Sequence, residues 1–307
     1  MNKADIAQLN EKFGFQDGDT VVRIKSGEAE FPIIDIQNKQ GRASISLQGA
    51  HILDWTPKGS DGVIWLSKDA VFAEGKSIRG GIPVCWPWFG AHEKNTSYPA
   101  HGFARVTVWQ VREVQALSST ETQVTFRLET QTLDEAFQKM WPQPTTLEYT
   151  MTIGAALTLE LTTFNQSDEA IRIGQALHTY FKVDDVGNTT VYGLEGRDYL
   201  DKPDNFKRKT QAGPITIKGE VDRIYLQTDD DVIIDDTKRK IMIKKQGSQS
   251  TVVWNPGKQV AERMGDLGEA GYLKMLCVES ANAADDIVTL AAGASHRLKV
   301  EYTVEEN

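Results

Sequence analysis

Cysteine is almost missing from this chain. Cys85 and Cys277 are the two present among 307 residues, and neither sits in a disulfide or metal-ligand framework. They read as buried, reduced thiols, the usual state in the cytosol. Long apolar runs are lacking too, and no stretch approaches the roughly 20 residues a helix needs to span a bilayer. Positive charge is in deficit: 34 Lys and Arg stand against 43 Asp and Glu, a formal net charge of −9. That balance argues against a nucleic-acid partner, because such binders carry a basic footprint. Histidine is scarce, and His51, His92, His101, His178 and His296 never fall at short metal-ligand spacing, so no metal is expected. The opening residues, 1–14, lack the apolar centre of a signal peptide and carry acidic residues, which makes the cytoplasm the default location.

What remains is the composition of an ordinary globular chain, 40% hydrophobic and 25% charged, long enough for one large core. Residues 1–19 read as a short amphipathic helix, with Ile6, Leu9 and Phe13 on one face and Gly14 as its stop, followed by a lead-in. From there the hydrophobic period changes to two. Residues 106–114 and 123–128 alternate around the polar turn Ser118-Ser119-Thr120, and residues 146–153 and 157–163 alternate across Gly154. Further strands are expected at 21–25, 43–47, 171–175, 240–245, 251–254, 273–278 and 296–303. Many short, evenly spaced strands indicate a mainly β chain, a sandwich or barrel. No boundary or repeat divides residues 20–307, which are read as a single domain.

Two tempting motifs fail. Gly75-Lys76-Ser77 looks like the end of a phosphate-binding loop, but Ala70 stands where that pattern needs its first glycine. The runs Asp184-Asp185 and Asp229-Asp230-Asp231 lack the alternating ligands of a calcium loop and read as solvated turns.

The most informative residues are Ser77-Ile-Arg-Gly-Gly-Ile-Pro-Val-Cys-Trp-Pro-Trp-Phe-Gly90 and, eleven residues on, His101-Gly-Phe-Ala-Arg105. Loops this rich in Gly and Pro build neither helix nor central strand. Carrying Trp and Arg as well, they suit a pocket wall rather than a core. On an acidic protein, a positive pocket has to be built from particular arginines.

These two stretches resemble the glucose-6-phosphate 1-epimerases, or hexose-6-phosphate mutarotases, a branch of the aldose 1-epimerase superfamily. Ala176-Leu-His-Thr-Tyr-Phe181, Val253-Trp-Asn-Pro256 and Cys277-Val-Glu-Ser-Ala-Asn282 match in the same order, so the resemblance runs from about residue 20 onward. It implies a large antiparallel β-sandwich of the galactose-mutarotase type. It also implies anomer interconversion of a hexose 6-phosphate, glucose 6-phosphate above all, without a cofactor. The expected partner is therefore that substrate, with the protein a monomer or weak homo-oligomer.

Anomer interconversion moves only protons, so it needs one acid and one base, expected on opposite sides of the sugar. Histidine suits the acid because its ordinary pKa lies near neutrality, and glutamate suits the base once burial raises its pKa. By the resemblance, His178 is the acid and Glu279 the base. Taken alone, His178 reads as a core histidine bonded to backbone at a strand end, and Glu279 as an outward-facing glutamate on an edge strand, though the alternation leaves its face open. Arg79 and Arg105 are assigned to substrate phosphate, because a guanidinium grips phosphate with a fork of charge-assisted bonds. Asp222 matches a position that contacts the sugar. His101 either orients substrate hydroxyls or braces its loop. Trp86, Trp88 and Phe89 are candidate pocket wall, with at least one of them expected to be purely structural. Asn255 is expected to bond backbone rather than substrate. Ala100 departs from the family, which often has a substrate-binding glutamine there, so any contact at that point comes from backbone. Two other readings stay open: an aldose 1-epimerase for unphosphorylated sugars, and a sugar-phosphate binding protein without catalysis.

Overall fold

The structure is a computed structural model that describes residues 3–307. Its helix Lys3–Phe13 buries Ile6 and Phe13 and ends where the Gly14 N–H bonds the Asn10 carbonyl. The rest is almost entirely antiparallel strand. A five-stranded sheet runs in chain order through Phe15–Asp17, Thr20–Ser26, Pro32–Gln37, Gly41–Ser46 and His51–Pro57. Its first strand falls inside the expected lead-in. A nine-stranded sheet has Ser295–Glu306 and Leu157–Asn165 at its middle. An eight-stranded sheet centres on Met275–Asn282, flanked by Ser250–Asn255 and Val221–Leu226 on one side. On its other side lie Gln175–Leu177 and Val84–Cys85.

The two large sheets face one another across a shared core. Phe126, Tyr149, Leu161 and Val300 of one meet Leu177, Tyr225, Val253, Leu276 and Val278 of the other in a single apolar cluster. The mainly β sandwich is therefore as expected. Both hairpins are present: Gln110–Ala116 with Thr122–Glu129, and Thr145–Ile153 with Leu157–Asn165. The first strand begins later than expected, because Ala104–Val106 is a turn of 3₁₀ helix.

The sheets differ in one way that decides the site. On the nine-stranded sheet the alternate residues face water, as Glu160 does beside Arg297 and Lys299. In Met275–Asn282 every residue is buried. Leu276 and Val278 point into the sandwich, whereas Met275, Cys277 and Ala281 pack in separate clusters on the opposite face. Loops cover that second face. Among them are the two Gly- and Pro-rich stretches, which hydrogen bonds make into one unit: Trp86 N–H to the His101 carbonyl, Phe103 N–H to the Trp86 carbonyl, and His101 N–H to the Gly90 carbonyl. Gly102 permits this approach, with φ at +70° and a position where a Cβ would stand 1.9 Å from the Trp86 carbonyl oxygen.

Candidate active site

Met275–Asn282 runs four residues beyond the expected end at 278, so Glu279 lies within the strand rather than after it. Period-two alternation then settles its face. Glu279 shares the loop-covered side with Cys277 and Ala281, away from Leu276 and Val278. His178 is placed by the neighbouring chain. Leu177 pairs with Ser280 and Tyr180 with Cys277, the same register on both sides of the break at 178–179, which brings His178 opposite Glu279. Their side chains meet, with His178 Nε2 3.4 Å from Glu279 Oε1. They are neighbours on one sheet face, not groups facing each other across a gap.

Both are buried, the Glu279 side chain to 1% exposure and that of His178 to 10%. Burial penalises the charged form of each. It pushes the Glu279 carboxyl well above the usual carboxylate range, with help from the negative charge of Asp222. It also holds the His178 imidazole well below its ordinary value, with His101, Arg105 and Arg79 adding to the effect. The pair is thus biased toward holding one proton between two uncharged groups. Glu279 Oε2 and His178 Nδ1 are both buried without a hydrogen-bond partner among the described residues. Leaving such an atom unpaired costs on the order of 1–3 kcal/mol.

The other sequence candidates surround this pair. His101 holds a left-handed φ of +66°, takes the Gly90 N–H on its Nδ1 at 3.3 Å, and sets its ring 5.7 Å from that of His178. Its Nδ1 therefore braces the loop, and burial with Arg105 lowers its pKa to about 3. Arg105 donates from Nη2 to the Ala100 carbonyl at 2.7 Å, so the carbonyl at the departing position already accepts from Arg105. Arg79 donates from Nε to Asp266 and from Nη1 to the Tyr180 hydroxyl, each at 3.0 Å. Asp222 pairs with Lys202 at 2.6 Å. Phe89 lies edge-on to His101 at 4.8 Å. Trp86 is fully buried against Phe103 and Trp141 and belongs to the core, and Trp88 donates to the Pro99 carbonyl within its own loop. Asn255 bonds backbone as expected, donating to the Tyr272 and Met275 carbonyls.

Four residues beside the site were not singled out from the sequence. Tyr180 stacks on His178 with ring centroids 4.9 Å apart and planes 10° from parallel. Trp254 lies edge-on to both at 5.9 Å. Lys202 and Asp266 are ion-pair partners brought in from distant loops. The matched Val253-Trp254 and His178-Thr-Tyr180 segments were the available signals for Trp254 and Tyr180. Nothing local marks Lys202 or Asp266. Among the described residues, no group of three or more His, Cys, Asp or Glu is placed to hold a metal ion. Cys85 and Cys277 are free and buried, and burial pushes both thiols up. A separate cavity of about 830 Å³ is lined by residues such as Trp65, Lys68, Lys182 and Leu267, and the Trp65 ring stacks on Tyr180.

His51, given no role from sequence, supports the first loop. It is fully buried, its Nε2 lies 2.8 Å from the Gly80 carbonyl, and burial lowers its pKa to about 4. A folded-state pKa below the unfolded value of about 6.5 means that the unfolded chain binds more protons between those limits. Stability from His51 is therefore lost as pH falls from about 6.5 toward 4, by about 1.4 kcal/mol per pH unit. His51→Gln keeps a donor for Gly80 and removes the titration. Urea unfolding at a series of pH values should show the slope reduced by that amount, and an unchanged slope contradicts the assignment.

A family model described as aldose 1-epimerase matches residues 32–303. A protein of Escherichia coli strain K12 named "Putative glucose-6-phosphate 1-epimerase" is 37% identical over 259 residues, which cover 83% of this chain and 85% of that protein. One of the same name from Cenchrus ciliaris is 34% identical over 271 residues, 84% of this chain and 80% of the relative. The crystal structure of a putative mutarotase from Salmonella typhimurium superposes with a TM-score of 0.86 at 30% identity, covering 98% of this chain and all of that one.

Proposed function

The chain belongs to the aldose 1-epimerase family, and from that premise we propose that it interconverts the α and β anomers of a hexose 6-phosphate, glucose 6-phosphate in the first place. The observation that carries this reading is the adjoining His178–Glu279 pair, buried, 3.4 Å apart, and with one polar atom on each side chain lacking a protein partner among the described residues. Ring opening removes the proton from the C1 hydroxyl, breaks the bond between C1 and the ring oxygen, and adds a proton to that oxygen. Both oxygens are bonded to C1, so adjacent groups on one sheet face serve them as well as opposed ones. Glu279 takes the hydroxyl proton, and His178, given the pair's proton across the 3.4 Å contact, protonates the ring oxygen. The aldehyde turns about C1–C2, and the two transfers reverse on the other face. The pair ends with the proton count it began with, so no other reactant is consumed.

Arg79 and Arg105 speak for the phosphoryl group. Both add to burial in lowering the pKa of His178 and His101, and no sugar hydroxyl needs two guanidiniums. One observation favours the unphosphorylated-aldose reading: both arginines already bond protein atoms, Arg79 to Asp266 and Tyr180, Arg105 to Ala100. Anomer exchange followed by NMR on glucose 6-phosphate and on glucose separates the two. The phosphorylated sugar should exchange far faster at equal enzyme concentration. Equal acceleration favours the aldose reading, and no acceleration of either sugar leaves only a binding role.

A further inference from the structure

Arg79 is tied into a chain of contacts that ends at the acid–base pair. Its Nε donates to Asp266 Oδ1 and its Nη1 to the Tyr180 hydroxyl, both at 3.0 Å. Its Nη2 has no hydrogen-bond partner among the described residues. The Arg79 and Asp266 side chains are 24% and 28% exposed, shielded enough for the pair to hold its geometry yet open to a ligand. Tyr180 in turn forms the middle of a three-ring stack. Trp65 covers one side, at 5.9 Å and 22° from parallel, and His178 the other, at 4.9 Å and 10°. A tyrosine ring clamped in this way has little freedom, and its hydroxyl fixes one end of Arg79 as firmly as its face fixes the imidazole.

We propose that Tyr180 and Asp266 are positioning residues for the reaction: they grip Arg79 by two of its three nitrogens, leaving Nη2 for the substrate phosphoryl, while the Tyr180 ring holds His178 at the angle that faces Glu279. This rests on the hexose 6-phosphate reading and deepens it. A free arginine samples many rotamers and loses that freedom on binding, at a cost of up to about 2 kcal/mol. An arginine held beforehand by a carboxylate and a phenol has already lost it, so more of the phosphate's attraction appears as affinity. The same tyrosine serving both ends couples the place where phosphate binds to the place where protons move.

The two functions of Tyr180 separate by substitution. Tyr180→Phe keeps the stack and removes the hydroxyl. The ratio of the KM for glucose 6-phosphate to that for glucose should rise by roughly 3- to 10-fold, the range of one net hydrogen bond. Asp266→Ala should raise the same ratio, and Asp266→Asn should restore most of it, because the amide oxygen still accepts from Nε. Tyr180→Leu removes the ring and should lower kcat on both sugars alike; circular dichroism and Tm measurements show whether it folds. The Phe and Asp266 variants decide the matter if it does not. The proposal is overturned if Tyr180→Phe and Asp266→Ala leave the KM ratio unmoved while Arg79→Ala raises it. It is overturned too if Asp266→Asn is as damaging as the alanine. Should Arg79→Ala itself leave the ratio unchanged, the phosphate reading has failed, and the positioning of Arg79 for phosphate fails with it.

Discussion

Glu279→Gln should reduce enzyme-catalysed anomer exchange by about 10²- to 10⁴-fold, the usual contribution of a positioned general acid or base. The amide fills the carboxyl's space on the loop-covered face of Met275–Asn282, so the strand and its pairing with Ser250–Asn255 stay intact. What disappears is the carboxylate basicity that, on the proposed reading, takes the C1 hydroxyl proton. His178→Ala should cause a loss of similar size. Combining the two should cost little more than either alone, because on the proposed reading the proton passes between them and each is idle without the other. Exchange NMR on glucose 6-phosphate measures all three variants, with spontaneous mutarotation as the floor. Wild-type turnover in either single variant would falsify that residue's part in the chemistry. The pH profile offers a second check. Since burial lowers His178 below its ordinary value, activity should hold as pH falls through 6.5 and decline only further down, when the pair takes up a second proton.

The second large effect separates the substrate classes. Arg79→Ala and Arg105→Ala should each weaken glucose 6-phosphate by about 10- to 150-fold and glucose far less, as expected for a bond to a charged group at roughly 1.5–3 kcal/mol. The loss should fall mainly on KM, because the phosphoryl group lies away from C1 and its charge hardly changes during proton transfer. Lysine at either position should recover only part, since it returns the charge without the fork. Arg79→Lys should recover less than Arg105→Lys, because a lysine cannot hold Asp266 and Tyr180 together as Arg79 does. Equal damage to both sugars would mean that the arginines only hold their loops.

Much of the fold was legible locally. The alternation of residues 157–163 and 146–153 specifies a hairpin because each strand has one apolar face to bury, and the structure pairs Leu161 with Tyr149 accordingly. The two Gly- and Pro-rich stretches announced irregular backbone, which is what covers the site. The face of Glu279 was not legible. Its strand is buried on both sides, so the apolar run carries no alternation to read. Nor could the ion-pair partners be read. Asp266 is 187 residues from Arg79, and Asp222, on the strand Val221–Leu226, meets Lys202 from a turn 20 residues away.

By itself, the sequence determined the class of architecture, the strand period, the residue types able to carry phosphate and protons, and the segments that bear them. These depend on side-chain chemistry and near-neighbour spacing, which are local. Tertiary structure decided that His178 and Glu279 share one register and touch, that Trp86 is core while Phe89 borders the site, and that Arg79 is held through Tyr180 and Asp266. Those outcomes depend on which strands pair and which loops fold over them. Contacts across such sequence distances form only when the whole sandwich closes.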